Sequence, residues 1–129
     1  MSPVSRREAR KSAFTMLYQW DVTEQAPGDL YEGEIGAYAR EVTAAVVRDA
    51  TALDSRITAA AAESGWTADR LGAVERNILR IAIHELDVGE IPASAVIDEA
   101  VTLAKQYSTR EAGRLVNGIL DRIYKEAAA

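Results

Sequence analysis

Four cations crowd the start of this chain, Arg6, Arg7, Arg10 and Lys11, and two aromatic rings follow at Phe14 and Tyr18. Guanidinium and ammonium groups meet phosphate oxygens, and rings stack on unpaired bases, so the mixture suits single-stranded nucleic acid. A helix turns about 100° per residue; with Tyr18 at zero, Arg7 and Lys11 fall about 20° to either side, Phe14 about 40° away and Arg10 about 80°. Ala9, Met16 and Trp20 lie within about 20° of the opposite direction, and Ala13 lies about 140° round. The wheel therefore expects Phe14 and Tyr18 to project with the cations while Met16 and Trp20 face a core. The same pattern also suits a central helix buried on two sides, with cations only near its start.

Other chemistry has little to build on. The single histidine, His84, follows an apolar run and reads as a boundary residue, because no second nitrogen or thiolate accompanies it as a zinc ligand. With no cysteine there is no thiol nucleophile, thiolate metal site or disulfide. No glycine-rich phosphate loop is present; Gly113 and Gly118 fall inside a helical stretch and read as points of close helix–helix approach. Acid pairs such as Asp98-Glu99 read as solvated polar faces. No catalytic residue, metal or cofactor is expected.

The elements that must position the basic head are helices. The 129 residues, 48% of them hydrophobic, make one domain's worth of material, taken as residues 1–129. Residues 1–20 hold the four cations and one acid, Glu8, a balance of +3, which leaves −8 for the rest of a chain of net −5. Such a balance suits a small local anionic contact, or none, rather than a bulk nucleic-acid coat. Apolar residues recur at helical spacing and no alternating strand is found, so the fold class is all-α.

A first helix runs from Arg6 to Asp21, opened by the Ser5–Glu8 capping box. A loop at Ala26–Asp29 and a weak helical segment over Leu30–Ala39 follow. A long helix spans Arg40–Ser64 and stops at Gly65; the next, capped by Thr67, spans Ala68–Asp87. Its run Asn77–Ile83 is apolar almost all round, which belongs in the middle of a bundle. Ala93–Tyr107, with Tyr107 inward, and Thr109–Lys125, capped by a Ser108–Glu111 box, complete the set. No apolar run is long enough to span a membrane, and the polar Met1–Arg10 lacks a secretory core, so a cytoplasmic protein is expected.

Three stretches together carry a resemblance. The first is Arg6-Arg7-Glu8-Ala9-Arg10, then Ala13 and Leu17-Tyr18-Gln19-Trp20. The second is Val74-Glu75-Arg76-Asn77-Ile78-Leu79-Arg80-Ile81-Ala82, then Glu85-Leu86. The third runs through Ile91-Pro92, Val96-Ile97-Asp98-Glu99-Ala100-Val101 and Leu103-Ala104-Lys105 to Val116-Asn117-Gly118-Ile119-Leu120-Asp121. Over residues 5 to 124 the chain resembles the NusB family of transcription antitermination factors. The resemblance is weakest from Thr23 to Thr51.

The resemblance implies a compact bundle of six to seven helices arranged as two packed sub-bundles. It implies a non-enzymatic adaptor that binds the boxA element of rRNA transcripts. Its partner would be NusE, which is also a small-subunit ribosomal protein, with other Nus factors and RNA polymerase engaged indirectly. Carried over residue by residue, it assigns RNA contact to Arg6, Arg7 and Arg10 of the arginine motif and to Asp121; Lys11 is expected to join them from its place on the wheel. NusE contact goes to Tyr18 and Glu75. Glu8 stands where relatives often carry a cation, which weakens the local field. For Asp121 the spacing alone offers a surface ion pair with Lys125.

Two other readings stand beside the adaptor. Glu8 and the acidic body would favour a self-associating helical scaffold, a homodimer with little RNA binding. A NusB-like domain also fronts some rRNA cytosine methyltransferases, but without a cysteine or a glycine-rich cofactor segment this chain could not methylate by itself.

Overall fold

A computed structural model describes residues 5–128; Met1–Val4, part of the polar N-terminal stretch, and Ala129 lie outside the described residues. Five α-helices follow one another: α1 (Arg6–Thr23), α2 (Ala37–Ala61), α3 (Ala73–Val88), α4 (Ala93–Tyr107) and α5 (Arg110–Ala128). A short 3-10 turn, Ala62–Ser64, extends α2. The all-α expectation holds, with five α-helices among the described residues where six to seven were expected. The missing element is the segment over Leu30–Ala39. Gly33 there takes φ 127°, a region closed to most side chains, and Gly36 is extended, so helix begins only at Ala37.

Local signals explain most boundaries. The Glu8 amide donates to Ser5 Oγ at 3.1 Å, half of the expected capping box. Gly65, in the left-handed region at φ 75°, ends the α2 extension where the sequence places a stop. The start of α3 differs from expectation, Ala73 instead of Ala68. Thr67–Arg70 forms a turn, Gly72 is extended, and Arg76 Nη1 donates back to the carbonyls of Ala68 at 3.0 Å and Leu71 at 2.8 Å. At α5 the cap is Thr109, whose Oγ1 accepts from the Ala112 amide at 3.0 Å. Ser108, the expected cap, instead bonds across to Glu75.

The helix α3 is the hub. It packs against α1, α2, α4 and α5, because its stretch from Asn77 to Ile83, mostly apolar, is buried on every side. Two triangles share it, α1–α2–α3 and α3–α4–α5, the two sub-bundles expected from the resemblance. One continuous set of buried side chains runs through both, from Ala13 and Leu17 to Leu120 and Ile123.

Polar side chains lock the triangles in register. Asp21 of α1 accepts from Arg76 at 2.8 Å, Asn77 at 3.0 Å and Arg80 at 3.2 Å, all on α3. Arg80 also forks onto Asp54 of α2 at 2.7 and 2.6 Å and lies 5.6 Å from the Trp20 ring centre. Arg76, Asn77 and Arg80 of the second motif stretch therefore tie helices together. Of the two glycines read as close approaches, only Gly113 is one: an added Cβ would meet Lys105 Cγ of α4 at 2.9 Å. Gly118 faces open space.

Candidate nucleic-acid interface

The first helix carries the sequence-assigned surface, and the structure redraws its faces. Its buried side chains are Ala9, Arg10, Ala13, Phe14, Met16 and Leu17. On the wheel these occupy an arc centred roughly 120° from Tyr18, not 180° from it. The helix α3 packs on the flank between the Ala9–Met16 stripe and Tyr18, and the Tyr107 ring at the end of α4 covers Phe14, so that flank closes.

Two assignments are corrected by this burial. Arg10, expected among the open cations, is 6% exposed. Its Nε donates to both oxygens of Glu85 on α3, at 2.7 and 2.9 Å, and Glu85 is 2% exposed. The Tyr38 hydroxyl donates to the same carboxylate. Arg10 is therefore held inside as the counter-charge of Glu85. Burial, and then the hydrogen bond to Glu85, raise the Tyr38 hydroxyl well above its ordinary pKa. Phe14, expected to project, is buried between Tyr107 of α4 and Tyr18, with ring centres 5.1 and 6.3 Å away.

The remaining cations form a smaller open head. Arg6 is exposed and its guanidinium lies 5.0 Å from the Tyr38 ring centre. Arg7 is 66% exposed and pairs with Glu99 of α4 at 2.7 Å. That hydrogen bond, with the charge of Arg7, holds the Glu99 carboxyl below its usual range. Glu99, expected as a solvated acid, is thus bound across the helix interface. Lys11 is half-buried on the same side as Arg7.

Tyr18 is 38% exposed and stands clear of the core. With Phe14, Thr15, Val74 and Tyr107 it lines a shallow apolar hollow of about 230 Å³ between α1, α3 and the end of α4. Glu75 follows Val74 and accepts from Ser108 Oγ, which follows Tyr107. The structure thus brings the two partner assignments, Tyr18 and Glu75, to one rim. Tyr107, expected inward, is exposed here. It and Ser108 were missed because nothing local shows that the end of α4 meets Tyr18.

The Asp121 carboxylate pairs with Lys125, one turn on, at 2.9 Å, as the spacing offers. His84 is half-buried at the edge of α3, as a boundary residue should be. Among the described residues, no group of three or more His, Asp or Glu side chains is placed to hold a metal ion, and no helix is long and apolar enough to cross a membrane.

These helices and surfaces define a small all-helical protein whose first helix shows one sealed arc and one open, cationic, tyrosine-bearing arc. Residues 7–125 match the NusB family. The chain is 41% identical to the transcription antitermination protein NusB of Rubrobacter xylanophilus over 91% of this chain and 88% of that protein. The corresponding Aquifex aeolicus protein is 37% identical over 93% and 87%. Among solved structures, T. maritima NusB superposes with a TM-score of 0.85 at 31% identity, covering 97% of this chain and 94% of that one. A NusB chain in a complex of antitermination factors NusB and NusE with dsRNA superposes at 0.78 and 35% identity, covering 94% and 96%. The chain belongs to the NusB family.

Proposed function

We propose that this chain acts whole, as one NusB-like unit, in cytoplasmic transcription antitermination. It binds single-stranded boxA RNA of rRNA transcripts jointly with NusE and brings both to the other Nus factors on RNA polymerase. Its work is recruitment, not reaction. The observation that carries this reading is the open arc of α1, where Arg7, Lys11 and Tyr18 share one direction beside the Tyr18–Glu75 rim. Arg6, Arg7 and Lys11 meet phosphates, Tyr18 and Glu75 meet NusE, and Asp121 flanks the RNA. Arg10 takes no part in RNA contact. The NusB–NusE complex with dsRNA supports the pairing of these two partners in a relative.

Each phosphate neutralised on a single strand contributes about 0.7 to the slope of log K against log salt. Joint binding by NusE adds a second foothold, so the pair should bind more tightly than either alone. Titration of a fluorescent boxA RNA, with and without NusE and at several salt concentrations, tests the reading. The expected result is tighter binding with NusE and a slope that falls by about 0.7 per removed cation in Arg7→Ala and Lys11→Ala. No gain from NusE, or unchanged slopes, would refute it.

A further inference from the structure

On the side of α1 away from Tyr18, a groove of about 550 Å³ opens between α1, α2 and the 24–36 connection. Aliphatic side chains line it: Met16, Pro27, Ile35, Ala44 and Val47. Arg40 and Arg48 stand at its two ends on α2, both exposed on an otherwise acidic protein. Among the described residues Arg40 has no ion pair, and Arg48 is held only by its exposed neighbour Asp49 at 2.9 Å. Thr43, 5% exposed, also lines the groove, and its hydroxyl oxygen has no hydrogen-bond partner among the described residues.

We propose that this groove docks an acidic peptide segment of a partner protein, with one aliphatic side chain seated between two carboxylates. Charge and spacing select this occupant. Eight residues of α2 separate the arginines, about 12 Å of helix rise. In an extended peptide, residues i, i+2 and i+4 share a face, and i to i+4 spans about 13 Å. A Glu-x-Leu-x-Glu segment therefore places its carboxylates over Arg40 and Arg48 with the leucine over Ala44 and Val47. A nucleic acid fits less well, because among the described residues no aromatic ring lines the groove for a base to stack on. Because Met16 and Tyr18 point to opposite sides of α1, the groove stays free when the Tyr18 rim is occupied. The inference stands apart from the RNA reading.

The test is a nitrogen-15 NMR titration of the full chain with the blocked peptide Thr-Glu-Thr-Leu-Thr-Glu-Thr. Control peptides carry serine for the leucine or lysine for both glutamates. Saturable shifts at Thr43, Ala44 and Val47, absent with both controls, are expected. Arg40→Gln and Arg48→Gln should each weaken binding roughly two- to fivefold, as for exposed ion pairs. The double variant R40E/R48E should abolish binding while circular dichroism and boxA RNA affinity stay unchanged. Absent saturation, shifts centred on Tyr18 and Tyr107, equal response to the lysine peptide, or self-association through Thr43–Val47 would each overturn the proposal. Loss of RNA binding with the groove shifts intact would count against the adaptor function alone.

Discussion

Replacing Arg10 by alanine separates a structural arginine from a binding one. The substitution leaves Glu85, 2% exposed, without its main counter-charge. Removing one partner of a buried ion pair costs about 3–5 kcal/mol, because the other charge stays buried and uncompensated. The Tyr38 hydroxyl still donates to Glu85 and offsets about 1 kcal/mol of that, leaving a net loss of about 2–4 kcal/mol. Unfolding entropy for a chain of this size makes that a fall in Tm of about 7–15 °C. Thermal melts by circular dichroism would read the loss. The double variant R10M/E85M, which removes both charges and keeps side-chain volume, should recover most of it. At a temperature where R10A is still folded, its RNA affinity and salt slope should equal those of the parent chain. An unchanged Tm together with a flattened salt slope would refute the burial argument and return Arg10 to the RNA surface.

Other expectations follow from the same contacts. Arg7→Ala should behave oppositely to Arg10→Ala, melting almost as the parent does while losing salt-dependent RNA affinity, read by fluorescence anisotropy. Tyr18→Ala should weaken NusE binding at least fivefold in calorimetry, the order expected for an interface tyrosine, with RNA binding alone unaffected. Gly118→Ala should stabilise α5 by about 0.5–1 kcal/mol, because its Cβ would enter open space. Gly113→Ala should gain less or lose stability, since Lys105 must move aside, and comparative melts would show the order. Burial raises the Asp21 carboxyl, but Arg76, Asn77 and Arg80 together outweigh it and hold the folded pKa below the ordinary value of about 3.9. The stability this adds is full above that value and is lost as pH falls through the depressed folded pKa. Asp21→Asn should therefore lower Tm at neutral pH and narrow the difference from the parent below about pH 3.

Local signals made much of this protein legible. The Ser5 cap, the Gly65 stop, the bounds of α4 and the all-round apolar run of α3 follow from propensity, capping and periodicity within a few residues of chain. So does the separation of Tyr18, Arg7 and Lys11 from the Met16 stripe, because those angles are fixed by the helix repeat. A spacing rule likewise anticipated the Asp121–Lys125 pair. The tertiary structure alone decided which flank of α1 closes. A wheel shows two opposed directions, but the width of the sealed arc depends on how many helices press on it. Here Glu85 of α3 takes in Arg10, and Tyr107 at the end of α4 covers Phe14. The partner of Arg10 lies 75 residues away at Glu85, that of Arg7 lies 92 away at Glu99, and Glu75 meets Ser108 across 33. Pairings at such separation carry no trace in any short window of sequence, because they exist only once hydrophobic packing around α3 has brought the helices together.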